Sequence, residues 1–142
     1  MDKRLKQQLD FVLEIDKEKN ILRQTHLSGH GRRENDAEHA WHMAIMTVLL
    51  SEYANEKIDV LRTVTMLLIH DIVEIDAGDT YAYDEEGQKT QHERESRAAD
   101  RIYSLLPEDQ KKNCGISGKN LRRVRHRKPN LHILWIISSR RC

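Results

Sequence analysis

The segment Leu68-Ile69-His70-Asp71-Ile72-Val73-Glu74 contains the side chains that a hydrolytic metal site needs. Neutral histidine nitrogens and ionised aspartate oxygens are ligands that borderline divalent metals accept. On a helix, His70 and Glu74 are four residues apart and share a face, and Asp71 and Glu74 are also neighbours. The segment alone is weak support for such a site. A His-Asp pair at a helix end is more commonly a solvated terminus, where an imidazole near the C-terminus is favourable.

A second histidine, His39, lies near the start of an earlier helical segment. Asn35 or Asp36 can cap this helix, which runs from Ala37 to about Tyr53. An isolated histidine on the inward side of a helix is most often a hydrogen-bonded core residue, so the role of His39 depends on what another element brings towards it. The apolar stripe of this helix consists of Met43, Met46, Leu49 and Leu50.

The next helix connects the two histidines. Asp59 can cap it, and it ends at His70-Asp71. Two helices joined by a link as short as residues 55–58 pack side by side and antiparallel, so His39 can approach His70 and Asp71. The inward positions of this helix are Val60, Val64, Leu67 and Leu68.

Two further amphipathic helices flank this pair. Residues 2–15 carry apolar side chains at the spacing i, i+4, i+7, i+8, and residues 89–105 form a charged helix that Leu106-Pro107 ends. The apolar positions are Leu5, Leu9, Val12 and Leu13 in the first helix, and Ala98, Ala99, Ile102 and Leu105 in the second.

Two polar residues of the connecting segments could act on a substrate. Arg23 precedes the loop Ser28-Gly29-His30-Gly31 and could grip a phosphate with its fork of donors, although the spacing alone favours an exposed surface arginine. Asp79, in the tight acidic loop Asp76-Ala77-Gly78-Asp79-Thr80, could accept a proton or orient water, or could serve only as a turn residue. Residues 81–87 then form a lid or a surface loop.

The composition predicts one largely helical domain. The chain has 142 residues, of which 38% are hydrophobic and 33% are charged, with only six glycines and two prolines. Its apolar runs are much shorter than a membrane span, and no signal peptide opens the chain. We therefore expect a cytoplasmic protein that does not associate with membranes.

The charge divides the chain into two parts. Residues 1–110 hold all 23 acidic residues, whereas residues 111–142 hold ten of the 24 lysines and arginines and no acid. Both cysteines, Cys114 and Cys142, lie in the second part and suggest neither a zinc knuckle nor a disulfide framework. The basic run Leu121–Lys128 could attract polyanions, but nucleic-acid binding is not expected without a recognition fold.

The residues at the candidate site resemble the HD-domain phosphohydrolases, and most closely their small 5′-deoxynucleotidase-like branch. The resemblance covers about residues 5–110. It implies an all-α HD-domain bundle around a single metal, with a nucleotide as the small-molecule substrate and a homodimer as a common assembly. The motifs that carry the resemblance are Arg23, Glu34-Asn35-Asp36-Ala37-Glu38-His39, His70-Asp71-Ile72-Val73-Glu74 and Gly78-Asp79.

The resemblance also implies a role for each residue at the site. His39, His70 and Asp71 would bind a divalent metal, and this mixed set does not select sharply among Mn, Co, Fe, Zn and Mg. Glu74 would hold or deprotonate the attacking water, and Asp79 would assist or protonate the leaving ribose oxygen. Arg23 would clamp the substrate phosphate. The adjacent residue is Gln24, where some relatives have an aromatic side chain that selects deoxyribose, so strict deoxy-selectivity is not expected.

The chain departs from the family in its last part. The family closes the metal site with a later aspartate, but residues 113–142 contain no acid. With suitable synonymous codons for residues 113–140, a shifted reading frame can encode LRDIWEEFEAGETPEAKFAHTLDNIQP, which resembles the missing segment and contains the aspartate. We therefore divide the chain into an HD phosphohydrolase domain, residues 1–112, which lacks its C-terminal part, and a basic tail, residues 113–142. The hypothesis is that a frameshift near residue 113 produced this tail.

Two functions follow from these features. The first is a metal-dependent phosphohydrolase that cleaves nucleoside 5′-monophosphates to nucleoside and phosphate. The second is a catalytically weak or inactive HD-type module whose basic tail binds polyanions. Without the last aspartate, we expect weak metal retention and low activity, since metal binding depends on a complete ligand set.

Overall fold

The computed structural model describes residues 1–29, 31–54, 57–79 and 85–113. The predicted tail beyond residue 113, with its two cysteines, therefore lies outside the described residues. The elements, in chain order, are α1 (Lys3–Ile15), a 3-10 helix (Asp16–Asn20), β1 (Leu22–His26), β2 (Arg33–Asn35), α2 (Asp36–Leu50), a 3-10 helix (Ser51–Tyr53), α3 (Val60–Ile69), α4 (Glu74–Ala77), α5 (Glu85–Tyr103) and α6 (Glu108–Asn113).

The all-α prediction is confirmed, with one small exception. The segment predicted as a link and loop before α2 forms a two-stranded antiparallel hairpin, in which Leu22 pairs with Asn35 and His26 with Arg33. An isolated hairpin of this size is marginally stable in water. Here the backbone N–H of Asp36 donates to the carbonyl of Ile21 at 3.1 Å, which joins the hairpin to the start of α2.

Helices α2 and α3 form the antiparallel pair that the sequence predicts. Asn35 and Glu38 form a capping box at the start of α2, and the Asp59 side chain accepts from the Arg62 N–H at 3.0 Å at the start of α3. Small side chains, Ala40 and Ala44, are buried on α2, which allows a close approach of the two helices. The hairpin therefore holds the first turn of α2 close to the last turn of α3.

Several predicted inward positions are wrong. Leu49 on α2 is 65% exposed and Leu68 on α3 is 45% exposed, and α1 has no buried residue. Periodicity shows which face of a helix is apolar, but burial also requires a neighbouring element on that face. Within the described ranges, no element covers the α1 stripe, whose exposed members are Leu5, Leu9, Val12 and Leu13.

The core lies where α4 packs against α5. The Tyr103 hydroxyl donates to the carbonyl of Ile69 at 3.3 Å, and the ring of Phe11 lies 6.2 Å from the ring of Tyr103. These contacts fix the chain on both sides of His70-Asp71, so the core also holds the candidate site in place. The buried core residues are Val73, Ala77, Ala98, Ala99, Tyr103 and Leu106.

The acidic loop and the lid differ from their prediction. Residues 74–77 form the short helix α4, which ends at Gly78 with φ 73°, a backbone conformation that glycine adopts without strain. The last part of the predicted lid, residues 85–87, belongs to α5, and residues 80–84 lie outside the described residues. In the part of the chain that is described, no helix has the length and apolar character needed to span a membrane.

Candidate metal and phosphate site

The structure brings His39, His70 and Asp71 together. One ligand atom from each residue lies within 4.8 Å of the others, and the two imidazole ring centres are 5.9 Å apart. His39 is in the first turn of α2, and His70-Asp71 directly follow α3, so the antiparallel pair positions all three. His39 is therefore not isolated, because it faces His70, and Asp71 is buried and not a solvated helix end.

Acceptor groups orient both imidazoles. Nδ1 of His70 lies 2.7 Å from the carbonyl of Leu67, and its Nε2 lies 2.9 Å from Oδ2 of Asp71. Nδ1 of His39 lies 3.4 Å from Oε1 of Glu34, which leaves Nε2 of His39 for a ligand. Metal-binding histidines commonly use the other ring nitrogen in this way, since such a contact fixes the tautomer and the ring orientation.

The charges around the two histidines differ. Burial and the charge of Arg23 lower the pKa of His39, which favours the neutral imidazole that binds metals. Burial also lowers the pKa of His70, but the charge and hydrogen bond of Asp71 outweigh it and raise the pKa overall. Although burial opposes it, the positive groups around Asp71 hold the pKa of that carboxyl far below its usual range.

Arg23 lies in the site and not on the open surface. Its Nη1 donates to Oδ2 of Asp71 at 2.7 Å and to Oδ1 of Asp36 at 3.0 Å, and its side chain is only 20% exposed. The prediction of an exposed surface arginine is therefore wrong. The strand β1 places this cation beside the carboxylate that contacts His70.

Glu74 and Asp79 interact electrostatically with this cluster. Glu74 is 2% exposed, and burial together with the charges of Asp71 and Asp36 raises its pKa to about 10. Asp79 is half-buried, and its charge contributes to the raised pKa of both Asp36 and Glu74. Both predicted acids therefore share the electrostatic environment of the candidate metal ligands.

Sequence reasoning missed two buried acids, Asp36 and Glu18, which are 0% and 7% exposed. Asp36 has the residue type and position of a helix cap, which is the role considered for it. Glu18 belongs to a charged stretch with the pattern of a solvated segment, so no signal in the sequence points to its burial. Burial and then the charges of Asp36 and Asp71 raise the pKa of Glu18 to about 7.

The residues present fit a divalent cation. Four buried carboxyl groups, from Glu18, Asp36, Asp71 and Glu74, interact electrostatically with the guanidinium of Arg23, which pairs directly with Asp36 and Asp71. Among the described residues, one oxygen each of Glu18, Asp36 and Glu74 is buried without a hydrogen-bond partner. Buried carboxyl oxygens without a partner are costly, and a cation held by two imidazoles and a carboxylate would favour the ionised forms of these groups.

Replacing Glu34 with glutamine is expected to weaken metal binding without unfolding the protein. Oε1 of Glu34 accepts from the Thr25 hydroxyl at 2.6 Å and lies beside Nδ1 of His39, so the carboxylate orients that imidazole. Changes to such supporting groups cost roughly 10–100-fold in metal affinity. Titration with Mn²⁺ or Co²⁺ by calorimetry measures this loss. The matched control is Glu52→Gln, at an exposed position after α2, and an equal loss in that variant contradicts the prediction.

Replacing Glu18 with glutamine is expected to stabilise the metal-free protein at neutral and alkaline pH. The folded state holds a proton on Glu18 up to about pH 7, whereas the unfolded chain releases it near 4.5. Ionisation of Glu18 therefore destabilises the fold increasingly as the pH rises from 4.5 to about 7, by on the order of 2–3 kcal/mol. Denaturant unfolding in chelator should show a higher free energy of unfolding for Glu18→Gln than for the wild type at pH 8, and no difference between them at pH 4. A gain of equal size at both pH values contradicts this assignment.

Comparisons with known proteins show the family to which the chain belongs. Residues 15–116 match the family described as HD domain. The chain is 32% identical over 81 residues to the human protein named 5′-deoxynucleotidase HDDC2, and 30% identical over 79 residues to its mouse counterpart. The match spans 57% of this chain but only 38% of the human relative.

A solved structure gives a second comparison. The fold is similar to a crystal structure of a protein described as a predicted metal-dependent phosphohydrolase from Magnetospirillum magnetotacticum MS-1, with a TM-score of 0.73 and 56% sequence identity. The similarity covers 79% of this chain and 56% of that one. This chain therefore corresponds to little more than half of the protein whose structure it resembles.

Proposed function

This chain belongs to the HD-domain family, and on that basis we propose that it is a metal-dependent phosphohydrolase that cleaves nucleoside 5′-monophosphates. The observation that carries the proposal is the convergence of His39, His70 and Asp71 next to the guanidinium of Arg23. A candidate metal site beside a fixed cation suits a phosphate ester, whose reaction depends mainly on positioning and charge neutralisation. The reaction takes water and a monophosphate and releases the nucleoside and inorganic phosphate.

The three ligands would hold the metal at the meeting point of α2 and α3. A bound divalent cation supplies charge that makes water more acidic and polarises a phosphoryl oxygen. His39 and His70 each turn Nδ1 towards an acceptor of the protein, and Nε2 of His70 lies beside Oδ2 of Asp71, so both of these groups would turn to the metal together. Asp71 is buried and contacts both His70 and Arg23, which links the metal ligands to the phosphate-binding group.

Three other side chains would act on the substrate and water. Arg23 would bind the phosphate, since a guanidinium matches the oxygen spacing of a phosphate. Glu74 would hold and deprotonate the attacking water, because its carboxyl is buried beside Asp71 and an added positive charge favours its ionised form. Asp79, on the half-buried segment after α4, would protonate the leaving ribose oxygen.

The substrate class comes from relatives and from the residues around Arg23. The human and mouse relatives carry the name 5′-deoxynucleotidase, which supports a nucleoside monophosphate as substrate. Gln24 follows Arg23 on β1 and is exposed. An amide side chain can hydrogen-bond a ribose hydroxyl as well as tolerate its absence. We therefore propose that ribonucleotides and deoxyribonucleotides are both accepted.

Phosphate release from a panel of ribo- and deoxyribonucleoside monophosphates, with Mn²⁺, Co²⁺ or Mg²⁺ added, tests the proposal. The expected result is metal-dependent release of inorganic phosphate that His70→Ala removes. No release with any metal would reject it. Salt-sensitive binding of nucleic acid without turnover would instead support the inactive HD-type module with a polyanion-binding tail. Sedimentation of the same preparation tests whether the protein forms a homodimer.

The tail from residue 113 requires a separate test. Sequencing of the gene around codon 113, together with the intact mass, decides between a genuine tail and a frameshift. An in-frame gene and a mass of 16.7 kDa would show that the tail is genuine. A genuine tail would lack the later aspartate of the family, and we then expect weak metal retention and low activity.

A further inference from the structure

We propose that Asp36 is a positioning residue that fixes the guanidinium of Arg23 for phosphate binding. This inference rests on the proposed function, in which Arg23 binds the substrate phosphate. None of the roles proposed above for the other site residues is a role of Asp36. It is completely buried, at 0% exposed, although it is the first residue of a helix and carries a charge.

The first support is the way in which the guanidinium of Arg23 is held. Its Nη1 carries two hydrogens, and they are taken up by Oδ1 of Asp36 at 3.0 Å and Oδ2 of Asp71 at 2.7 Å. Nε is buried and has no partner among the described residues. A guanidinium binds a phosphate through N–H groups that its protein partners leave unused. Holding Nη1 therefore leaves Nη2, which has no hydrogen-bond partner among the described residues, for the ligand.

The second support is that Asp71 has other partners besides Arg23. Its Oδ2 is shared between Arg23 and His70 Nε2, which lies 2.9 Å away, and Asp71 is also a candidate metal ligand. In contrast, among the described residues Asp36 makes no hydrogen bond or ion pair with a candidate metal ligand, and its side chain bonds to Arg23. A second carboxylate is therefore needed to keep Arg23 in place when Asp71 binds a cation.

The third support is the rigid attachment of Asp36. Its backbone N–H donates to the carbonyl of Ile21, two residues before Arg23, and the capping box of the preceding Asn35 fixes the start of α2. Asp36 and His39 are three residues apart and share a face of the helix. The first turn of α2 therefore supplies both a candidate metal ligand and the tether of the phosphate-binding arginine, on one rigid frame.

Two substitutions of Asp36, each made with and without Arg23→Ala, test the proposal in the full-length protein loaded with Mn²⁺. The readouts are kcat and KM for the fastest monophosphate of the panel, the Kd of inorganic phosphate by calorimetry, and the Kd of Mn²⁺. We expect Asp36→Ala to raise KM and the phosphate Kd about 10-fold, with kcat and the Mn²⁺ Kd changed by less than about 3-fold. Asp36→Asn should have a smaller effect, because its amide oxygen can still accept from Nη1. The control is Asp100→Ala, at an exposed position of α5.

The double variants decide whether Asp36 acts through Arg23. In the Arg23→Ala background, Asp36→Ala should cause no further loss of phosphate affinity. A general structural effect of Asp36→Ala would still lower the phosphate affinity in that background. Equal losses in both backgrounds, or an unchanged phosphate Kd, would overturn the proposal. If Asp36→Ala does not fold, Asp36→Asn and its double variant are compared in the same way.

The phosphate titration separates this inference from the proposed function. A wild-type protein that binds phosphate through Arg23 and Asp36 but hydrolyses no monophosphate would reject the function and support the tether. A wild-type protein that hydrolyses monophosphates with a phosphate Kd independent of Asp36 would support the function and overturn the tether. A wild-type protein that binds no phosphate would also overturn it.

Discussion

Asp71→Asn is expected to remove metal binding and activity together, and this is one of the two largest effects that the site predicts. Asp71 would supply the carboxylate ligand, and the same side chain pairs with His70 and Arg23. Loss of a supporting group already costs roughly 10–100-fold in metal affinity, so loss of a direct ligand should cost at least about 100-fold. Turnover at saturating Mn²⁺ should fall below about 1% of the wild-type value.

Asp71→Asn is also expected to lower the free energy of unfolding, for a separate reason. Removing one partner of a buried ion pair costs about 3–5 kcal/mol, and because Arg23 keeps its bond to Asp36, we expect a loss at the lower end of that range. Denaturant unfolding in chelator measures the loss of stability, and Mn²⁺ titration measures the loss of metal affinity. The matched control is Asp76→Asn, five residues later, which breaks an exposed pair with Arg101 and should leave the Mn²⁺ affinity unchanged. Full Mn²⁺ affinity in Asp71→Asn would contradict the candidate metal site.

Glu74→Gln is expected to separate activity from stability. Burial, with the charges of Asp71 and Asp36, raises the pKa of Glu74 to about 10, so the metal-free protein carries this carboxyl protonated at neutral pH. Glutamine has nearly the shape of the protonated acid, so at pH 4, where Glu74 is largely protonated in both the folded and the unfolded chain, the free energy of unfolding in chelator should change by less than about 1 kcal/mol. Glutamine cannot accept a proton from water. The loss of a general base typically lowers kcat by 10²–10⁴-fold.

The raised pKa of Glu74 also predicts how the stability change caused by Glu74→Gln depends on pH. A carboxyl with a raised pKa destabilises the folded state as the pH climbs from its unfolded value of 4.5 towards 10. In chelator, Glu74→Gln should therefore gain stability relative to the wild type as the pH rises through this window. The control is Glu93→Gln on the exposed face of α5, which should leave kcat unchanged. Normal turnover in Glu74→Gln would contradict its role as the base.

The local features of the fold could be read from the sequence because they depend on residues only a few positions apart. Asn35 and Asp59 cap α2 and α3 as predicted, since a capping side chain bonds to backbone groups two or three residues later. The hairpin of β1 and β2 was missed because its strands are short and polar and have no alternating pattern. The exposed side chains of Leu13 and Leu49 were misjudged because an apolar stripe does not show whether a neighbour covers it.

The sequence by itself determined the types of the site residues and the two helices that carry them. His39 and the His70-Asp71 pair follow from spacing and from an antiparallel connection, both of which are short-range properties. Only the tertiary structure decided that Arg23 enters the site, since it meets Asp71 across 48 positions of the chain. It also decided the burial of Glu18 and Asp36, whose residue types favour solvent until a cation nearby compensates their charge.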